Sequence, residues 1–115
     1  MTCKRGDVVI VPFPHSNQRS IQPRPALVLQ ADNLGTGLPQ VVIAMITTNL
    51  QRRGHASRVF IAKSSPAGAA SGLVSDSVIM TDNLTTVLEK AISAVIGHLP
   101  DMTEVDAALR HTLGL

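Results

Sequence analysis

The stretch Arg24-Pro25-Ala26-Leu27-Val28-Leu29, preceded by Pro23, limits what this chain can become more than any other. Each proline fixes its own φ and pushes the residue before it toward an extended conformation. Arg24 is thereby set on stiff backbone at the mouth of a strand rather than on a free loop. The four apolar residues behind it are too short a run for a helix and read as a strand buried on both faces. An isolated arginine at a strand start is usually solvated surface. A second polar strand end later in the chain shifts that weighting.

The remaining runs follow the same grammar. Gly6-Asp7 opens a strand over Val8–Val11, and Pro12 and Pro14 are expected to confine regular pairing to the residues before them. His15 to Gln22 is a polar loop carrying Arg19. Asp32 to Pro39, with Asn33, Gly35 and Gly37, reads as a turn. Val41–Ile46 is the strongest strand pattern, β-branched and ending in Thr47-Thr48-Asn49. A second polar loop, Gln51 to His55, holds Arg52 and Arg53. Ser57–Ile61 reads as an edge strand, and Ser64 to Gly72 as a small-residue loop without a pattern of its own.

Val78–Met80 and Ala94–Ile96 are two further short strands. Between them Leu84, Val87, Leu88 and Ile92 have helical spacing and predict a short helix. Asp101 with Glu104 three residues on has the form of a capping box at the start of a C-terminal helix. Met102, Val105, Leu109 and Leu113 would be its apolar stripe. Short strands followed by one amphipathic helix predict a mainly β domain with α (α+β): a small antiparallel barrel or sheet capped by that helix.

At 115 residues, 44% hydrophobic and 16% charged, the chain is expected to be a single domain, 1–115, with a core of its own. One cysteine, Cys3, excludes an internal disulfide framework and suits a reducing cytoplasm. No apolar run approaches the ~20 residues of a membrane span. The net charge of +2 permits a polyanionic partner without requiring one. Two Phe, no Tyr and no Trp leave no aromatic platform for stacking bases, so a grip on nucleic acid would rest on phosphate contacts and hydrogen bonds.

Familiar catalytic patterns are missing. No glycine-rich loop has phosphate-cradle spacing, and His15, His55, His98 and His111 are too scattered to ligate a metal with the lone cysteine. There is no Gly-x-Ser-x-Gly elbow and no obvious carboxylate pair. What remains is a set of strand-end polar residues: Arg24, Thr47, Thr48 and Asp76. In an antiparallel sheet the end of one strand lies beside the start of its neighbour, so Arg24 and Thr47 are expected at one rim, below Arg19 and Arg52-Arg53. A guanidinium beside a hydroxyl, ringed by more arginines, suits a phosphodiester.

Four stretches taken together resemble the MazF/PemK toxins: Lys4-Arg5-Gly6-Asp7-Val8-Val9, Arg24 to Leu29, Ile46-Thr47-Thr48 and Asp76-Ser77-Val78-Ile79. They occur in the family's order and at about its spacing over nearly the whole chain. The first loop, His15 to Gln22, lacks the Gly-Ser-Glu pattern of the best-known members and looks closer to the PemK-like branch. Val74 stands where some relatives carry an arginine.

The resemblance implies a CcdB/MazF/PemK-like small barrel with a C-terminal helix, a homodimer, and a cytoplasmic endoribonuclease that uses no metal or cofactor. Its substrate would be single-stranded RNA, and its inhibitor an acidic, partly disordered antitoxin through which alone it would meet DNA; no membrane is implied. Arg24 and Thr47 fall on the family's catalytic pair. Arg19, Thr48, Asn49, Arg52, Arg53, Asp76 and Ser77 are the candidate substrate contacts, and His15 a candidate acid or base. The implied reaction is attack of the ribose 2′-OH on the adjacent phosphorus, giving a 2′,3′-cyclic phosphate and a free 5′-OH. Two alternatives remain open: a non-enzymatic gyrase inhibitor of the CcdB type, and a barrel-like interaction module without activity. The intact Arg24 and Thr47 argue for cleavage, and Leu113-Gly114-Leu115 offers the gyrase reading no aromatic or basic anchor.

Overall fold

The computed structural model describes residues 3–14 and 21–115; His15 and Arg19 lie outside them. The strands are β1 (Asp7–Pro14), β2 (Ile21–Val28), β3 (Gln40–Thr47), β4 (Arg58–Ile61), β5 (Ser77–Leu88) and β6 (Ala94–His98). The helices are α1 (Pro66–Ser71) and α2 (Thr103–Leu113). Among the described residues the strands form one curled antiparallel sheet, a half-barrel in the order β4-β5-β3-β2-β1-β6. The expected mainly β architecture with a C-terminal helix is the one observed. No described helix is long and apolar enough to cross a membrane.

Alternation along the strands gives the sheet two apolar faces. Val8, Leu27, Ala44, Ile46, Val59 and Ile79 face Val105 and Ala108 of α2. Val9, Val11, Ala26, Val28, Val41 and Ile43 lie on the opposite face and are closed over by Ile92, with Cys3, Met45 and Val87 packed at its margin. A fully buried Leu, Ile or Val contributes about 1.5–3 kcal/mol by leaving water. Because both faces are buried, β2 and β3 carry the continuous apolar runs seen in the sequence rather than a strict alternation.

Local expectations needed correction at several points. The segment from Leu84, expected to be helical, continues β5 to Leu88 and then makes a 3-10 turn, Glu89–Ala91. Its β-branched Thr85, Thr86 and Val87 pair with Ile43, Val42 and Val41, and the ladder outweighs the helical spacing. The small-residue loop contains α1: the Ser65 hydroxyl accepts from Gly68 N–H, Pro66 occupies the first turn, and Gly72 closes the helix at φ 73°. Pairing of β1 with β2 runs on through Pro12, Phe13 and Pro14, so Arg24 lies mid-strand and not at a strand mouth.

The C-terminal helix forms without the full capping box. Met102 is its N-cap residue, while Asp101 Oδ1 accepts from Thr103 N–H and from Thr103 Oγ1–H. Of the expected stripe, Val105 is buried and Met102 and Leu109 pack against the core, whereas Leu113 is exposed and Ala108 takes the inward position.

Candidate functional site

Register brings the two principal candidates together. Ala26 stands opposite Met45 and Leu27 opposite Ala44; Arg24 and Thr47, each two residues beyond the last pair, line one cavity. Residues facing each other across a ladder project to the same side, and each strand alternates sides with a period of two. Arg24 therefore shares a face with Ala26 and Val28, and Thr47 shares it with Met45 and Ile43. The β2–β3 ladder ends at Ala26 and Met45, and a cavity of 370 Å³ opens beyond it. Arg24, Met45, Thr47, Asn49, Arg52, Met80 and Asn83 line it. Backbone pairing with Val11, together with Pro23 and Pro25, holds Arg24 in place.

The chain leaving β3 is shaped by its own side chains. Thr47 Oγ1 accepts from Asn49 N–H at 3.1 Å, and Asn49 Oδ1 accepts from Gln51 N–H at 3.1 Å. These two turns start the 3-10 turn Leu50–Arg52, which carries Arg52 to the cavity. Arg53 turns elsewhere: its guanidinium lies 5.6 Å from the centre of the Phe60 ring. Thr48 is exposed and does not line the cavity.

Asp76 and Ser77 occur at the same end of the sheet but face other tasks. Asp76 Oδ1 accepts from Lys63 N–H at 2.8 Å. Ser77 is buried, and its hydroxyl donates to the Ser75 carbonyl at 2.9 Å. Neither lines the cavity.

Sequence reasoning missed Met45, Met80, Asn83, Arg58 and Asp82. Met45 and Met80 face each other across β3 and β5. Immediately beyond, β5 bulges: Met80 pairs with Met45 and Leu84 with Ala44, so residues 81–83 have no partner on β3. Asn83 reaches the cavity from this bulge, its Nδ2–H₂ donating to Met45 Sδ at 3.3 Å. The bulge is fastened by Thr81, whose N–H and hydroxyl both donate to Ser57 O, and whose hydroxyl meets Thr112 Oγ1 at 2.8 Å. Arg58 Nη2–H and Nε–H donate to the two Asp82 carboxylate oxygens at 2.8 and 3.3 Å. That contact holds the Asp82 carboxyl below its ordinary pKa, outweighing the opposing effect of burial. The Asp82-Asn83 pair between Met80 and Leu84 was the available signal, because Asp and Asn are depleted in strands.

A second cavity of 340 Å³ lies at Cys3, Gln30, Asp32 and Glu89. Its polar groups already serve the fold: Gln30 Oε1 accepts from Val42 N–H and Asp32 Oδ1 from Arg5 N–H. Burial pushes the Cys3 thiol up, with Asp7 and Glu89 adding to the effect. Among the described residues no cluster of three His, Cys, Asp or Glu side chains is placed to hold a metal ion. The Arg24–Thr47 cavity offers two guanidinium groups, a hydroxyl and two amides, a set suited to an extended anion.

A curled antiparallel half-barrel with a basic cavity where the β2–β3 ladder ends defines the structural class. Residues 4–113 match the family model of the PemK-like, MazF-like toxins of type II toxin–antitoxin systems, and the chain belongs to that family. It is 32% identical over 120 residues to the endoribonuclease EndoA of Bacillus subtilis (strain 168), covering 100% of this chain and 97% of that protein. The fold is similar to that of a mycobacterial endoribonuclease in complex with its cognate antitoxin, with TM-score 0.77, 21% identity and coverage of 99% and 97% of the two chains. It is likewise similar to the Mycobacterium tuberculosis toxin MazF-mt6, with TM-score 0.74, 25% identity and coverage of 95% and 97%.

Proposed function

We propose that this protein is the toxin of a type II toxin–antitoxin pair and an endoribonuclease that cuts single-stranded RNA at the Arg24–Thr47 cavity. The observation that carries the reading is that Arg24 and Thr47 line one cavity, together with Asn49 and Arg52. In the reaction, the ribose 2′-OH attacks the neighbouring phosphorus. The bond to the 5′-oxygen of the next nucleotide breaks, leaving a 2′,3′-cyclic phosphate and a 5′-OH. Because the nucleophile belongs to the substrate, no protein nucleophile and no metal is needed. Arg24 neutralises the phosphorane oxygens as charge builds, and Thr47 orients them; such donors act on the transition state. Arg52 and Asn49 hold the flanking backbone. Arginine is too basic to accept the 2′-OH proton at neutral pH, so His15 stays the candidate base.

A basic cavity on an open rim is also a natural dock for an acidic antitoxin segment that folds as it binds, in competition with RNA. A homodimer would extend the rim into a groove. The test is incubation of the purified protein with mixed-sequence single-stranded RNA in EDTA. Discrete fragments ending in a 2′,3′-cyclic phosphate are expected, and affinity for uncleavable RNA should fall steeply with salt. Intact RNA, or fragments that vanish on metal removal, would refute this function.

A further inference from the structure

Arg58 is absent from the residues that line the Arg24–Thr47 cavity, yet it touches both segments that flank that cavity. It sits on β4 directly opposite Met80 of β5. Through Nε–H and Nη2–H it grips both oxygens of Asp82, in the bulge that delivers Asn83. Through Nη1–H it donates to the Arg52 carbonyl at 3.2 Å, in the 3-10 turn that delivers Arg52. One planar guanidinium thus ties two segments distant in sequence, and its side chain is only 21% exposed. The rigid fork makes this possible; a single ammonium cannot match it.

We propose that Arg58 is a positioning residue that fixes Arg52 and the β5 bulge as adjoining walls of the cavity. The proposal rests on the RNA reading above. The 3-10 turn has no buried residue of its own, so little else in its side chains anchors Arg52. The bulge is held from behind by Thr81, but Asp82 and Asn83 extend past that anchor to the exposed rim. Without the bridge each wall would sample several placements, and Arg52 would lose its fixed distance to Arg24.

The experiment measures binding of a mixed-sequence RNA with every 2′-hydroxyl replaced by fluorine, at several salt concentrations, alongside hydrogen exchange of the free protein. In Arg58→Met, affinity should fall about five- to tenfold, and the salt slope by about one unit, as it does on losing one phosphate contact. In an Arg52→Ala, Asn83→Ala background the same change should cost nothing more, because Arg58 acts through the two segments that carry those side chains. An equal loss in both backgrounds would mark a merely structural residue and overturn the proposal. Arg58→Lys should resemble Arg58→Met; full recovery by lysine would show that charge alone suffices.

Asp82→Asn leaves the shape intact and separates clamp from field. Removing an acidic charge should tighten RNA binding by simple electrostatics, whereas a weakened clamp should loosen it. Tighter binding would therefore count against the proposal. Amides of 49–53 and 81–84 should exchange faster together in Arg58→Met, with the central ladders unchanged; unaltered exchange in these segments would also overturn it. If wild-type protein binds no RNA while this exchange signature appears, the RNA reading fails and the clamp stands.

Discussion

Replacing Arg24 with alanine separates a catalytic role from a structural one. Arg24 is half-buried at an open cavity, and no salt bridge to it is formed among the described residues. Its backbone is kept extended by Pro23 and Pro25 and by pairing with Val11. Truncation at Cβ thus leaves no buried charge without a partner and disturbs no ladder, so stability should change by less than about 0.5 kcal/mol. Catalysis should suffer far more. A preorganised donor to a developing oxyanion is worth about 2.7–4 kcal/mol, or roughly 10²–10³ in rate. The assay is single-turnover cleavage of RNA in EDTA, paired with a thermal melt of the same preparation. A Tm within about 4 °C of wild type with a rate at least about 100-fold lower is expected. A cleavage rate within about tenfold of wild type in folded Arg24→Ala would refute the assignment, because one ordinary hydrogen bond accounts for that much.

Three further outcomes follow from packing. Gly97→Ala should lower stability by about 2 kcal/mol or more, seen as a fall in urea midpoint, because a Cβ there meets Ser71 carbonyl atoms at 2.3 Å and backbone cannot step aside; an unchanged midpoint would contradict the close approach of α1 to β6. Thr81→Val keeps the volume but removes the hydroxyl joining Ser57 O and Thr112, so a loss of about 1–2 kcal/mol is expected by denaturant titration, and a neutral result would show those bonds to be idle. The lowered Asp82 pKa means that its contribution is full above the ordinary carboxylate value of about 3.9 and is lost as pH falls through the depressed folded value. Wild type should therefore exceed Asp82→Asn by less than about 1 kcal/mol at pH 7, given partial solvent screening, and the two should converge as pH falls through the depressed folded value; a gap that widens on acidification would reverse the sign.

Elements that rest on their own residues were legible in the chain. β-branched runs between turn residues mark β1, β3 and β4, and the stiff Pro-Arg-Pro step marks Arg24. An apolar stripe with an acidic first turn marks α2. The pairing of Arg24 with Thr47 rested on the family resemblance and on Thr47 at a strand end; the expected strand-mouth place of Arg24 is not observed, since β2 begins at Ile21.

Everything set by register and long-range pairing came only with the tertiary structure. Leu84 to Leu88 has helical spacing, yet it is strand because Gln40 to Ala44 needs a partner along its whole length. Met45, Met80 and Asn83 reach the cavity through a cross-strand pair and a bulge between residues 38 positions apart, which no local pattern encodes. Arg52 and Arg53 are adjacent and chemically alike, but one faces the cavity and the other a phenyl ring. Side-chain type follows from the gene, whereas the neighbours that give it a task follow from which strands pair and in what register.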